Sequence, residues 1–120
     1  MPPSDPANRF QVEMVDDVMV VSLMDSEIVD DFSLNGVRDA LYTLIDERKP
    51  PRLVLNLARV RKYSTQFLGN LIAFKSRLKM AKGVMKICCI APNLMDAVKI
   101  LHLERDLDIY PEEQAAVNAF

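Results

Sequence analysis

Apolar positions change their rhythm from segment to segment along the chain, and each change marks an element. Phe10–Val15 (FQVEMV) and Val18–Leu23 (VMVVSL) are short runs rich in β-branched residues, parted by Asp16-Asp17. They predict a hairpin whose second, more apolar strand is the more central. From Asp30 or Asp31 the period lengthens, and Phe32, Leu34, Val37, Leu41, Leu44 and Ile45 recur at steps near three and four. That is one face of an amphipathic helix with an acidic first turn, ended by Lys49-Pro50-Pro51. Arg52–Leu57 (RLVLNL) is nearly continuous in apolar character, as a strand buried on both faces at a sheet centre requires. Phe67, Leu71, Phe74 and Leu78, widened by Leu68 and Ile72, predict a second helix from about Thr65 to Lys82, with Gly83 as its C′ stop. Val84–Ile90 (VMKICCI) predicts another buried strand, and Asn93 is placed to cap a helix carrying Leu94, Val98 and Leu101 on one face. Leu107–Tyr110 reads as a short edge strand, after which Pro111 opens a last helix through Ala115, Ala116 and Val117.

The order β-β-α-β-α-β-α, a short strand, then α, implies right-handed crossovers. The expected architecture is therefore α/β: a mixed central sheet of about four to five strands with about four helices packed on it. The polar, Pro-rich residues 1–9 predict a loose leader, and residues 10–120 one domain, because 120 residues of which half are apolar make a single core. No run of about 18 apolar residues occurs. The first residues have neither a signal-peptide layout nor a lipidation motif, which points to the cytoplasm.

Composition removes most chemistry. Three glycines leave no phosphate-cradling loop. The one histidine, His102, has no second ligand at metal spacing and reads as a structural or surface residue. Cys88 and Cys89 are adjacent in an apolar run, so on a strand they point to opposite faces and read as small buried side chains, without a mutual disulfide. Neither a catalytic site, a metal nor a cofactor is expected. Charge, by contrast, is unevenly spread. Arg59, Arg61, Lys62, Lys75, Arg77, Lys79, Lys82 and Lys86 fall in a stretch without Asp or Glu, leaving seven basic against seventeen acidic residues elsewhere. Such a segment either attracts an anionic partner or is balanced by acidic neighbours in the fold.

The unit LVLNLARVRKYSTQFLGNLIAFKSRLKMAKG, followed by KGVMKICCIAPNLMDAVKILHLERDLDIYPEEQAAVNAF, resembles a STAS domain of the bacterial anti-sigma-factor antagonist type. In that family a buried strand leads through a short loop to a motif of the form Asp-Ser-Ser/Thr-Gly-Leu-Gly at a helix start. The resemblance implies that Ser64 takes the place of the family's phosphorylated serine, with Thr65 as second choice. It also implies a partner that is both serine kinase and anti-sigma factor, captured only by the unphosphorylated form. Tyr63 stands where the family has Asp, and Gln66 where it has Gly. Asp30 is set on the family's aspartate before the first helix. The implied partner-binding surface comprises Asp30, Tyr63, Ser64, Thr65, Gln66 and Asn70, with no small-molecule substrate, nucleic acid or membrane as partner.

Other readings stand beside this one. Ser and Thr are common helix N-caps, worth about 0.5–2 kcal/mol, and the pair needs no regulation to explain it. A STAS scaffold or transporter-associated subunit would keep Ser64 without gaining a phosphate. The Arg59 to Lys86 face is also a candidate for anionic lipid or nucleic acid, although its phenylalanines, Phe67 and Phe74, lie on the predicted core stripe.

Overall fold

The computed structural model describes residues 9–120, so the expected loose leader lies, apart from its last residue, outside the described chain. β1 (Phe10–Val15) and β2 (Val18–Leu23) form the hairpin, with Phe10 facing Leu23 and Val15 facing Val18. Asp16 and Asp17 turn it with φ of 50° and 65°. A two-residue turn with both residues left-handed twists in the same sense as its strands, and Asp tolerates that region because its short side chain bonds locally.

The chain continues through β3 (Glu27–Ile28), α1 (Asp31–Arg48), β4 (Arg52–Asn56), β5 (Lys62–Tyr63), α2 (Thr65–Met80), β6 (Val84–Cys88), α3 (Pro92–Ile100), β7 (Ile109–Tyr110) and α4 (Glu113–Asn118). The main sheet has five strands in the order β1-β2-β4-β6-β7, antiparallel at the hairpin and parallel from β2 onward. This is the mixed sheet the sequence predicts, with β4 at its centre. β3 and β5 make a separate two-stranded parallel sheet that the sequence does not announce, because two residues carry no period.

The pleat sorts the sheet into two apolar layers. Met19, Val21, Leu53, Leu55, Met85 and Ile87 face α1 and α2, which bury Val37, Leu41, Ile45, Phe67, Leu71, Phe74 and Leu78 against them. Val18, Val20, Val54 and Cys88 face the other way and are covered by Ala116 and Val117 of α4.

Four expectations are corrected at the level of single residues. Phe32 is 76% exposed rather than part of the α1 stripe; it lies two residues before Leu34, roughly 200° around the helix. Gly83 is not the left-handed residue after α2. Lys82 takes that conformation (φ 65°), its N–H donating to Lys79 and that of Gly83 to Leu78. Gly83 is needed one position later for closeness, since a Cβ there would sit 2.5 Å from the Pro50 carbonyl oxygen and 2.8 Å from Leu78. Asn93 does not cap α3; Ala91 holds the cap position and Pro92 opens the helix, whose missing N–H costs nothing there. Finally, Cys88 and Cys89 pack against one cluster rather than opposite faces, because β6 ends at Cys88 and Cys89 turns left-handed (φ 62°). Both are free thiols. Burial pushes the Cys88 thiol far above its ordinary value.

Candidate functional site

The loop from β4 to α2 is held by its backbone. Leu57 and Val60 bury their side chains, and the Asn56 carboxamide accepts from the Ala58 N–H at 2.9 Å while donating to Glu113 at 3.0 Å. The N–H groups of Arg61 and Lys62 both donate to the Ser26 carbonyl, and that of Ser64 donates to the Ile28 carbonyl at 3.0 Å. The start of α2 is thus laced to the segment before α1, with Glu27 opposite Lys62 and Ile28 opposite Tyr63.

Ser64 holds the N-cap backbone conformation of α2 (φ −98°, ψ 163°), and its carbonyl accepts from the Phe67 N–H at 3.0 Å. Its hydroxyl, however, does not cap. Oγ is enclosed and has no hydrogen-bond partner among the described residues. Thr65 and Gln66 are exposed on the first turn and Asn70 is half-buried one turn on. Asp30 is an effective cap for α1. Its carboxylate accepts from the Ser33 N–H at 2.6 Å, and that bond holds its pKa below the ordinary carboxylate value.

A shallow depression of about 640 Å³ opens over this corner, lined by Val29, Arg61, Lys62, Tyr63, Ser64, Thr65 and Asn93. The structure therefore brings Tyr63, Ser64 and Thr65 together, while Asp30, Gln66 and Asn70 lie outside the lining. It adds Val29, which no local pattern marks, and Asn93, which the sequence marks only as a helix cap. Tyr63 acts as a tether at this corner. Its hydroxyl donates to the Asn93 carbonyl at 2.9 Å and ties α3 to the start of α2.

The basic stretch does not form one positive face. Arg77 makes two hydrogen bonds to Asp46, at 2.6 and 3.0 Å, and lies over the Tyr42 ring. Its guanidinium holds the Asp46 carboxyl below the usual range. Lys75 donates to the Asp106 carbonyl, and Lys62 pairs with Glu27 at 3.4 Å. Lys86 is buried on the α4 face of the sheet, 2.5 Å from Asp108. Burial opposes its charge, but its hydrogen bonds to Asp108 and Tyr110 prevail and hold its pKa above the ordinary value. Arg59 and Arg61 make no ion pair with a described residue, and Arg61 stands at the depression itself.

A mixed sheet layered by helices, with a serine at the start of the helix after its central strand, defines an α/β module of one central sheet. The chain belongs to the STAS domain family, whose sequence model matches residues 9–116. Among solved structures it is similar to an anti-sigma-factor antagonist (STAS) domain protein from Planctomyces limnophilus (18% identity, 92% of this chain and 96% of that one, TM-score 0.78). It is also similar to the Bacillus cell fate determinant SpoIIAA in its phosphorylated form (19%, 92% and 99%, TM-score 0.65). A third likeness is to the murine Slc26a9 anion transporter, where it covers 89% of this chain but 18% of the transporter (10% identity, TM-score 0.73). No curated protein sequence matches the chain. Among the described residues, no helix is long and apolar enough to cross a membrane.

Proposed function

We propose that residues 10–120 form a cytoplasmic, non-enzymatic regulator of the anti-sigma-factor antagonist type. It binds a serine kinase that doubles as an anti-sigma factor through the surface around Ser64. Phosphorylation of Ser64 releases it. The observation that carries this reading is the state of Ser64: the residue lines an open depression, while its hydroxyl is turned inward, enclosed and without a hydrogen-bond partner among the described residues. A side chain serving as a cap would lose a hydrogen bond on turning outward to a kinase. This one loses none and gains solvent.

A phosphate at Ser64 lies at the positive end of α2, near Arg61 and Lys62, so the fold tolerates it. A partner that must desolvate the same surface does not, because about 1.5–2 negative charges enter the interface. Asp30, Gln66 and Asn70 extend the contact beyond the depression. Thr65 is the more exposed hydroxyl in the resting conformation and is the alternative acceptor.

The test is phosphorylation by the serine kinases of the source cell, read by intact mass and peptide mapping on wild type, Ser64→Ala and Thr65→Ala. One added phosphate, lost in Ser64→Ala and kept in Thr65→Ala, is expected, together with loss of the captured kinase in pull-down. A phosphate that survives Ser64→Ala sinks the assignment.

A further inference from the structure

β1 forms one edge of the main sheet, and its outer side pairs with no other described strand. An antiparallel hairpin closed by a two-residue turn starts from a hydrogen-bonded pair, here Val15 and Val18, and alternates from there. Odd-numbered residues of β1 therefore bond to β2. The Met24 N–H donating to the Arg9 carbonyl at 2.8 Å continues the same parity past the strand end. The backbone groups of Phe10, Val12 and Met14 point outward.

Side chains of the same residues lie on the α1 face of the sheet, with Phe10 buried, Val12 37% exposed and Met14 62% exposed. Beside them a groove of about 490 Å³ runs between β1 and α1, lined by Phe10, Val12, Ala40, Thr43, Leu44, Glu47 and Arg48. Soluble proteins blunt such edges with lysine, proline or a bulge. β1 has none of these: its register with β2 is unbroken and its one charge is Glu13.

We propose that this edge joins two copies of the chain, β1 against β1 in antiparallel, about a two-fold axis at Val12. The side chains choose the register. With Val12 opposite Val12 of the second copy, Phe10 faces Met14, apolar against apolar on the α1 face. Gln11 then faces Glu13, amide against carboxylate, on the other face. The outward pairs exchange about six backbone hydrogen bonds. A slip of the pairing in one direction sets Glu13 against Glu13 and leaves Phe10 without a partner. The opposite slip leaves Met14 overhanging. The pairing is isologous, so it closes at two copies, and it runs one sheet through both. None of the residues lining the depression at Ser64 belongs to β1 or α1, so the dimer presents two copies of that surface.

Sedimentation and light scattering across a micromolar to millimolar series test the proposal on the full chain. A concentration-dependent dimer is expected. Met14→Lys should raise its dissociation constant at least about ten-fold, with thermal melting of the dilute monomer unchanged. Val12→Cys provides an independent test, because paired residues at the axis stand about 5.5 Å apart between Cα atoms, within disulfide reach. Oxidised glutathione should link the two copies of that variant and leave wild type unlinked. A chain that stays monomeric throughout, a dimer undiminished by Met14→Lys, or a Val12→Cys protein that does not cross-link overturns it.

Discussion

Replacing Ser64 with alanine separates the two roles a serine can have at a helix start. A capping hydroxyl is worth about 0.5–2 kcal/mol, and its loss lowers stability by that amount. In the structure Oγ accepts no N–H, and a hydroxyl kept from water without a partner costs on the order of 1–3 kcal/mol. The alanine variant keeps the Ser64 N–H bond to Ile28 and the carbonyl bond from Phe67, both of which are backbone. It gives up only the unpaired oxygen. Stability is therefore expected to be unchanged or higher by up to about 1 kcal/mol, allowing for wild-type molecules that turn the hydroxyl to solvent. For a domain of this size, 1 kcal/mol moves the melting temperature by roughly 2–8 °C. A melting scan paired with urea unfolding reads the sign, and a drop of more than about 0.5 kcal/mol is the contrary outcome, because the hydroxyl must then cap α2 in solution. Ser64→Asp completes the experiment. A carboxylate there can accept an N–H of the first turn and suits the helix dipole, so the variant should fold at least as stably as wild type while losing its partner.

The two glycines outside α1 should respond in opposite directions. Gly69→Ala, at a helical position where an added Cβ meets nothing within 4 Å, should stabilise by about 0.5–1 kcal/mol. Gly83→Ala presses on the Pro50 carbonyl and should cost about 1–3 kcal/mol in urea unfolding; equal effects would contradict both assignments. Asp30 is held below the ordinary carboxylate value, so its contribution is complete above about pH 4 and is lost as pH falls through its lower, folded value. Asp30→Asn keeps the cap acceptor without the titration, and should show a shallower loss of stability on acidification; an identical acid limb would mean that Asp30 contributes nothing to it. Tyr63→Phe deletes the bond to the Asn93 carbonyl and should cost about 0.5–1.5 kcal/mol. Hydrogen exchange at the start of α3 should speed up in that variant, and unchanged exchange would show that the tether does not hold the helix.

Long-period features were legible in the sequence because they are repeated many times. The stripe of α2 is written by Phe67, Leu71, Phe74 and Leu78, and all are fully buried. β4 announces its central place because a strand covered on both faces admits no polar alternation. Where a single residue decides, pattern gives less. Phe32 has the right composition and the wrong angle, and Gly83 has the right neighbourhood but a steric rather than a dihedral reason. Cys89 turns to the same side as Cys88 because the strand ends two residues earlier than its apolar run. Charge behaves similarly. The one-signed stretch from Arg59 to Lys86 looks like a basic face until the fold brings Asp46 to Arg77, Glu27 to Lys62 and Asp108 to Lys86.

Asp30 and Ser64 carry the same signature, a capping residue before an amphipathic helix, yet only Asp30 caps. The difference lies in the two-stranded sheet of β3 and β5. It draws the Ser64 N–H to Ile28 and fixes the residue's approach to α2 from the backbone side. With its backbone held by β3, the start of α2 does not depend on the serine side chain for its position. A hydroxyl freed from capping in this way can be modified without unravelling the helix beneath it. Asp30 has no such freedom, since its carboxylate is itself the first bond of α1. A switch therefore fits the helix start whose geometry is set by a neighbouring strand, and not the one held by its own cap.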